Sequence, residues 1–249
     1  EVLRHQVDSM VGQQSIADAV EALPDAANPA EAGRSLAIIL SSPERARPVL
    51  EEAFGGATGP ARLTYAKVLG VFGDARGVPE LTEALDDITA WDAKILQGVA
   101  AEYAHLPTPV DALILSLGST RDSRALPSIL RKLDMLDAET TLSHHRAVAL
   151  ALERLAPPTA ARPLASLLTK PGMRGHAMTA LEPLYNAQRE KRRRTGPLRE
   201  IVLARALFRC GDHDGIGEAI LREYCRDIRG LFARHAHAVL EAGCDYRPQ

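Results

Sequence analysis

The chain has 249 residues, 46% hydrophobic and 25% charged, with a formal net charge of −2. That balance excludes a disordered chain, and nothing in it draws the protein as a whole to nucleic acid or to an anionic membrane. Three cysteines are too few for a disulfide scaffold, no run reaches the roughly 18 apolar residues of a membrane span, and aromatics at 4% leave the core to Leu, Ala, Val and Ile.

Residues 1–40 carry no clear repeat phase. From there, short segments opening on a proline recur: Pro48-Val-Leu-Glu-Glu-Ala-Phe54, Pro79-Glu-Leu-Thr-Glu-Ala-Leu85 and Pro127-Ser-Ile-Leu-Arg-Lys-Leu133 align without a gap, and Pro163-Leu-Ala-Ser-Leu-Leu168 follows with a slip in apolar phase. Each is expected to be the second helix of a pair, with its proline in the first turn, where the missing N–H has no partner to lose. First helices are expected around residues 63–69 and 147–155, where apolar residues recur at spacings of three and four. Gly73-Asp74 and Arg121-Asp122 precede Pro79 and Pro127 at the same distance, and an Asp there can accept amides across the turn or cap the next helix.

The wider gap between Pro79 and Pro127 predicts an extra helix over residues 89–103, with Trp91 as its buried anchor. Further on, residues 189–197 are expected to form a charged helix end and loop broken by Gly196-Pro197. A helix over 199–208 is then expected, followed by Cys210-Gly-Asp-His-Asp-Gly-Ile-Gly-Glu-Ala-Ile-Leu221, a copy of the 73–85 turn and helix in which Gly217 stands for proline. The last helix is expected over 231–241, closed by Gly243.

This pattern resembles HEAT repeats, above all the short HEAT-like repeats of phycobilisome lyases. The resemblance is carried by Leu69-Gly-Val-Phe-Gly-Asp-Ala-Arg-Gly-Val-Pro-Glu-Leu81 and its echoes at 117–130 and 207–220, and it covers most of residues 34–240. It implies an all-α, right-handed α-solenoid of stacked helix pairs, expected as one domain over 1–249. Because the chain opens on Glu1, it is expected to be part of a longer, bacterial polypeptide. Residues 206–224 and 227–238 also resemble the helical tail of some bacterial FAD-dependent oxidoreductases, although no Gly-x-Gly-x-x-Gly stretch is present to hold a dinucleotide.

The expected function is a non-catalytic scaffold or interaction module that binds a protein partner, or another domain of the same chain, on its concave face. The alternative is an accessory region of a flavin oxidoreductase or a phycobilisome-type lyase. In HEAT-like arrays the second helices line the concave face, so the candidate binding residues are Glu80, Glu83, Arg131 and Lys132, whose phase puts them off the core stripe. Arg192 and Arg193, within the basic cluster 189–194, are candidates for an acidic partner, phosphate or RNA. No aromatic residue interleaves the cluster to stack bases, so a solvated helix end is the expected reading.

No catalytic residue, cofactor or metal is expected. Cys210 and His213, with Asp212, Asp214 and His235 or His237, contain metal-ligand residue types, but a closed zinc site needs a second ligand pair. His144-His145 are expected at a helix start without a catalytic role, since no nucleophile is spaced to serve them. Asp74, Asp122 and Asp212 are expected to serve their turns.

Overall fold

A computed structural model describes residues 15–92, 107–181 and 195–243. Most of the helices begin as the local chemistry dictates. Ser15 opens α1 (Ile16–Ala22) with a reciprocal capping box to Asp18, and the Asn28 side chain accepts the Ala30 and Glu31 amides at the start of α2 (Pro29–Ser41). α3 (Pro43–Gly56), α4 (Gly59–Val71) and α5 (Val78–Asp86) each carry a proline in the first two positions. Thr108 and Asp111 form a second capping box on α6 (Pro109–Thr120). The remaining helices are α7 (Leu126–Asp134), α8 (Leu142–Leu155), α9 (Ala161–Thr169), α10 (Thr195–Arg209), α11 (Ile216–Tyr224) and α12 (Leu231–Ala242). Among the described residues the secondary structure is entirely helical, with no strand.

Several sequence expectations need correction. Pro48 does not open a helix. It lies inside α3, which Pro43 already starts, and it costs that helix the amide that would bond back one turn. Pro79 and Pro127 do sit in the first turns of α5 and α7. Gly196-Pro197 lies in the first turn of α10 and not in a loop, because a first-turn proline has no intrahelical bond to break. Residues 88–92 are non-helical where the extra helix was expected to begin, and the rest of that helix lies outside the described residues.

The longer first helices pack in succession: α4 on α6, α6 on α8, and α8 on α10. The shorter second helices bridge them. α5 lies against α6, α7 against α8, and α9 against α10, while α5, α7 and α9 also touch in order. α12 packs on α11, and α1 to α3 pack on one another at the other end. Small residues set the closeness of the first-helix layer. A Cβ at Gly118 would overlap Ala151 across the α6–α8 contact, and one at Gly77 would fall 2.6 Å from the Ala66 Cβ. The apolar stripes merge into one continuous core running from Ile16 to Val239, in which Leu50, Leu69, Leu81, Leu117, Leu152 and Leu207 are completely buried. Each such side chain contributes about 2 kcal/mol by leaving water.

An aspartate stands in the turn ahead of three second helices and of the last helix. Asp74, Asp122, Asp212 and Asp227 each stand four residues ahead of a helix, at Val78, Leu126, Ile216 and Leu231. In three of them Asp Oδ1 accepts the amide of the Arg two residues on: Asp74 from Arg76, Asp122 from Arg124 and Asp227 from Arg229, each at 2.9 Å. Asp212 instead reaches the first-turn amides of Gly217 and Glu218, at 2.6 and 2.9 Å. The arginines tie the turn to an earlier part of the chain. Arg76 pairs with Glu51, Arg124 donates to the Ala75 carbonyl, and Arg229 donates to that of His176.

Candidate functional site

An array of aliphatic helices can bury polar groups only if each finds a partner. The polar groups of α6, α8 and α10 meet this requirement unevenly, and the unevenness marks the site. Asp111, in the first turn of α6, and His144, in the first turn of α8, face each other in the core, 0% and 1% exposed, with Oδ1 and Nδ1 2.6 Å apart. The Asp111 carboxylate also takes the Thr108 amide at 2.9 Å. Burial alone would raise the Asp111 carboxyl. The His144 hydrogen bond, the Thr108 amide, the His144 charge and the nearby Ser143 hydroxyl outweigh it and hold the group below its ordinary value.

The other side of the His144 ring is closed. Trp91 stacks on it with centroids 4.3 Å apart, and Nε2 faces Asp92 at 3.7 Å without a hydrogen bond. Asp92 in turn accepts the Thr108 hydroxyl at 2.7 Å and the Val110 amide at 3.2 Å. A general base needs its free nitrogen within reach of a substrate. Here that nitrogen is sealed between a carboxylate and an indole, so this geometry suits a strut between α6 and α8 and not proton transfer.

Beside Asp111 a cavity of about 330 Å³ opens between α6, α8 and α10. α6 contributes Leu115 to it. α8 contributes Ser143, Arg146 and Leu150, and α10 contributes Val202 and Arg205. Arg146 is exposed and carries no ion pair or hydrogen bond among the described residues. Ser143 is 4% exposed, and its hydroxyl, though close to Asp111, makes no hydrogen bond of acceptable geometry. Arg205 is fixed in the wall by Glu153, with Nε 2.7 Å from Oε1.

The buried Glu153 carboxylate also takes Arg209 at 2.7 Å, so one acidic side chain on α8 holds two arginines of α10. A further buried set clamps the connector that follows α9. Glu200 accepts the Gly175 and His176 amides and the Tyr224 hydroxyl, at 3.0, 2.9 and 2.9 Å. Burial, with Glu200 beside it, pushes the Tyr224 phenol up. Arg199 donates to the Ala138 and Gly172 carbonyls, and Asp227 accepts the Met178 amide.

Compared with models of protein families, with curated proteins and with solved structures, the chain matches none.

The residues singled out from the sequence divide sharply. Glu83 is exposed. Glu80 is spent on Arg62 at 2.6 Å, and Arg131 is spent on Asp86 at 2.5 Å. Lys132 corrects the expectation of a surface side chain. It is 3% exposed, and its ammonium donates to the Ile88 carbonyl, because the chain leaving α5 crosses that face of α7. Arg192 and Arg193 lie outside the described residues. Trp91 is half-buried and anchors on His144 instead of opening a helix. The Cys210 thiol is buried and donates to the Leu152 carbonyl at 3.6 Å, whereas His213 is partly exposed beside Asp214. No cluster of three metal-ligating side chains exists among the described residues, and no described helix is long and apolar enough to cross a membrane.

Sequence reasoning missed Ser143 and Arg146. The available signal was their spacing: Ser143, Arg146, Ala147 and Leu150 fall on one stripe of α8, and a charged residue on that stripe marks a wall facing something other than core.

Proposed function

We propose that the chain is a right-handed, HEAT-like solenoid that serves as a protein-interaction module. Its mechanism is shape: stacked pairs hold a fixed row of side chains against a partner, which is either a separate protein or another domain of the same polypeptide. The observation that carries this reading is the Asp placed four residues ahead of three second helices, α5, α7 and α11, with its Arg two residues on in the first two. A turn repeated in this way belongs to a unit repeated in this way, and such units bury their faces only by stacking on one another. The packing of first helices in succession, bridged by second helices, supports the same reading.

Surface charge on the second helices gives the partner something to read. Glu83 on α5 is exposed, and so is the ion pair that joins Arg131 of the next second helix to Asp86. Lys132 is withdrawn from that surface by its bond to Ile88. The test is affinity capture from the source cell with wild-type protein and with the Glu83→Lys/Arg131→Glu variant, both checked for folding by circular dichroism. A protein retained in near-equal amount by the wild type and lost by the variant is the expected result. Capture of the same set by both, or of none, contradicts the reading.

A further inference from the structure

We propose that the cavity between α6, α8 and α10 is a binding site for an aliphatic carboxylate. Its occupant is a branched or straight apolar chain of a few carbons ending in a carboxylate, either as a free acid or as the C-terminus of a peptide that ends in leucine. The site stands whether or not the array as a whole serves a protein partner.

Three features converge on one small volume. First, the floor is apolar: Leu115, Leu150 and Val202 come from three helices, all of them half-buried where core neighbours would have buried them fully. Second, two donors in the wall are available to a guest. Arg146 makes no ion pair or hydrogen bond among the described residues, and the Ser143 hydroxyl, buried beside it in the wall, makes no hydrogen bond of acceptable geometry. The Ser143 hydroxyl, which otherwise only approaches the Asp111 carboxylate, gains a well-placed acceptor from a guest in the cavity. Third, the geometry is fixed. Ser143, Arg146 and Leu150 share one stripe of α8, and Arg205 is pinned by Glu153, so no loop must close to form the site.

The sign of the guest follows from the charges in the wall. Asp111 is the one acidic residue lining the cavity among the described residues, and it is fully buried with its oxygens committed to His144 and Thr108. Against it stand two guanidinium groups, one of them, Arg146, without an ion pair among the described residues. A guanidinium receives a carboxylate through two parallel hydrogen bonds, and a neighbouring hydroxyl adds a third. A volume of about 330 Å³ holds a short acid, or the last side chain and carboxylate of a peptide whose remainder stays outside.

The full chain is titrated with isocaproate, with isocaproamide, and with an acetylated tetrapeptide ending in leucine as free acid and as amide, followed by calorimetry and by backbone amide shifts. Either acid is expected to bind with shifts centred on Ser143, Arg146 and Val202, at least about tenfold more tightly than its amide. Tighter binding of isocaproate assigns the site to free acids, and tighter binding of the tetrapeptide assigns it to chain termini. Arg146→Gln, a change at an exposed side chain, is expected to weaken binding at least about tenfold while leaving the melting temperature in place, and Ser143→Ala to weaken it a few-fold. Equal binding of acid and amide, undiminished binding by Arg146→Gln, or no binding of any probe overturns the proposal.

Discussion

The Glu153 carboxylate of α8 and the Arg209 guanidinium of α10 meet at 2.7 Å with both side chains almost completely removed from solvent. Neither charge has water to fall back on, so the pair fixes how the two helices sit. Removing Glu153 takes the close carboxylate counter-charge from the buried Arg209 guanidinium. Glu153→Leu is expected to cost about 3 kcal/mol, read from urea melts, and Glu153→Leu/Arg209→Met is expected to cost less than the single change, because no charge is then left buried. Arg205, the second partner of Glu153, is 21% exposed in its side chain and can turn to solvent. A double variant less stable than the single one contradicts this account.

Asp111 supports three groups at once: His144, the Thr108 amide and the first turn of α6. Asp111→Ala is expected to destabilise the protein by about 2–4 kcal/mol, since it leaves a buried imidazole nitrogen unmatched and removes the carboxylate half of the α6 capping box. The folded chain holds this carboxyl below its ordinary value. Its contribution is therefore present above about pH 4, the unfolded carboxyl value, and is lost as pH falls through the lower folded value. Stability profiles of wild type and Asp111→Ala should converge below that point. A constant difference between them at all pH values would rule the linkage out.

His145 gives the opposite end of the acid profile. Burial pushes it from its ordinary 6.5 down to about 4, against the pull of the Thr141 and Asp137 carbonyls at its ring nitrogens. Between those values the unfolded chain carries the proton and the folded chain does not, so stability rises with pH across the window and falls on acidification. Burial, with Arg205 and Arg209 nearby, also lowers His235, which adds to the same slope. Between pH 7 and pH 5 the wild type is expected to lose about 2 kcal/mol, and His145→Gln less than half of that. Equal losses in urea melts at the two pH values would remove His145 as the cause.

Leu81 and Pro79 are neighbours on α5 with different roles. Leu81 is completely buried, whereas Pro79 is exposed in the first turn. Leu81→Asp is expected to cost several kcal/mol by placing an unpaired charge in the core, and Pro79→Ala to stay within about 1 kcal/mol, since alanine also suits a first turn. Thermal melts that rank the two the other way would refute the assigned phase of α5.

Much of the local fold was legible because its signals are local. The prolines at 79 and 127, the turn aspartates and Gly243 mark helix ends through the bonds they make or cannot make. Pro48 misled because a proline inside a helix and one that opens it are the same letter, and only Pro43 ahead of it decides. The buried charges were not legible from periodicity, which assigns Glu and Arg to solvent. Glu153, Arg199, Glu200, Arg209 and Asp227 are buried because distant segments supply their partners. Lys132 fails for the same reason, since its partner Ile88 lies two helices back in the sequence. The Asp-x-Arg triplets at 74–76 and 122–124 were available as a signal and point to the same repeat as the helix spacing.

The most direct test of the central claim, that these helix pairs stack into an extended array, is small-angle X-ray scattering of the full chain in dilute solution. A compact globular protein of 249 residues has a radius of gyration of about 18 Å. The solenoid predicts a value clearly above that, with a distance distribution skewed to long vectors. A value at or below about 18 Å with a symmetric distribution would contradict it.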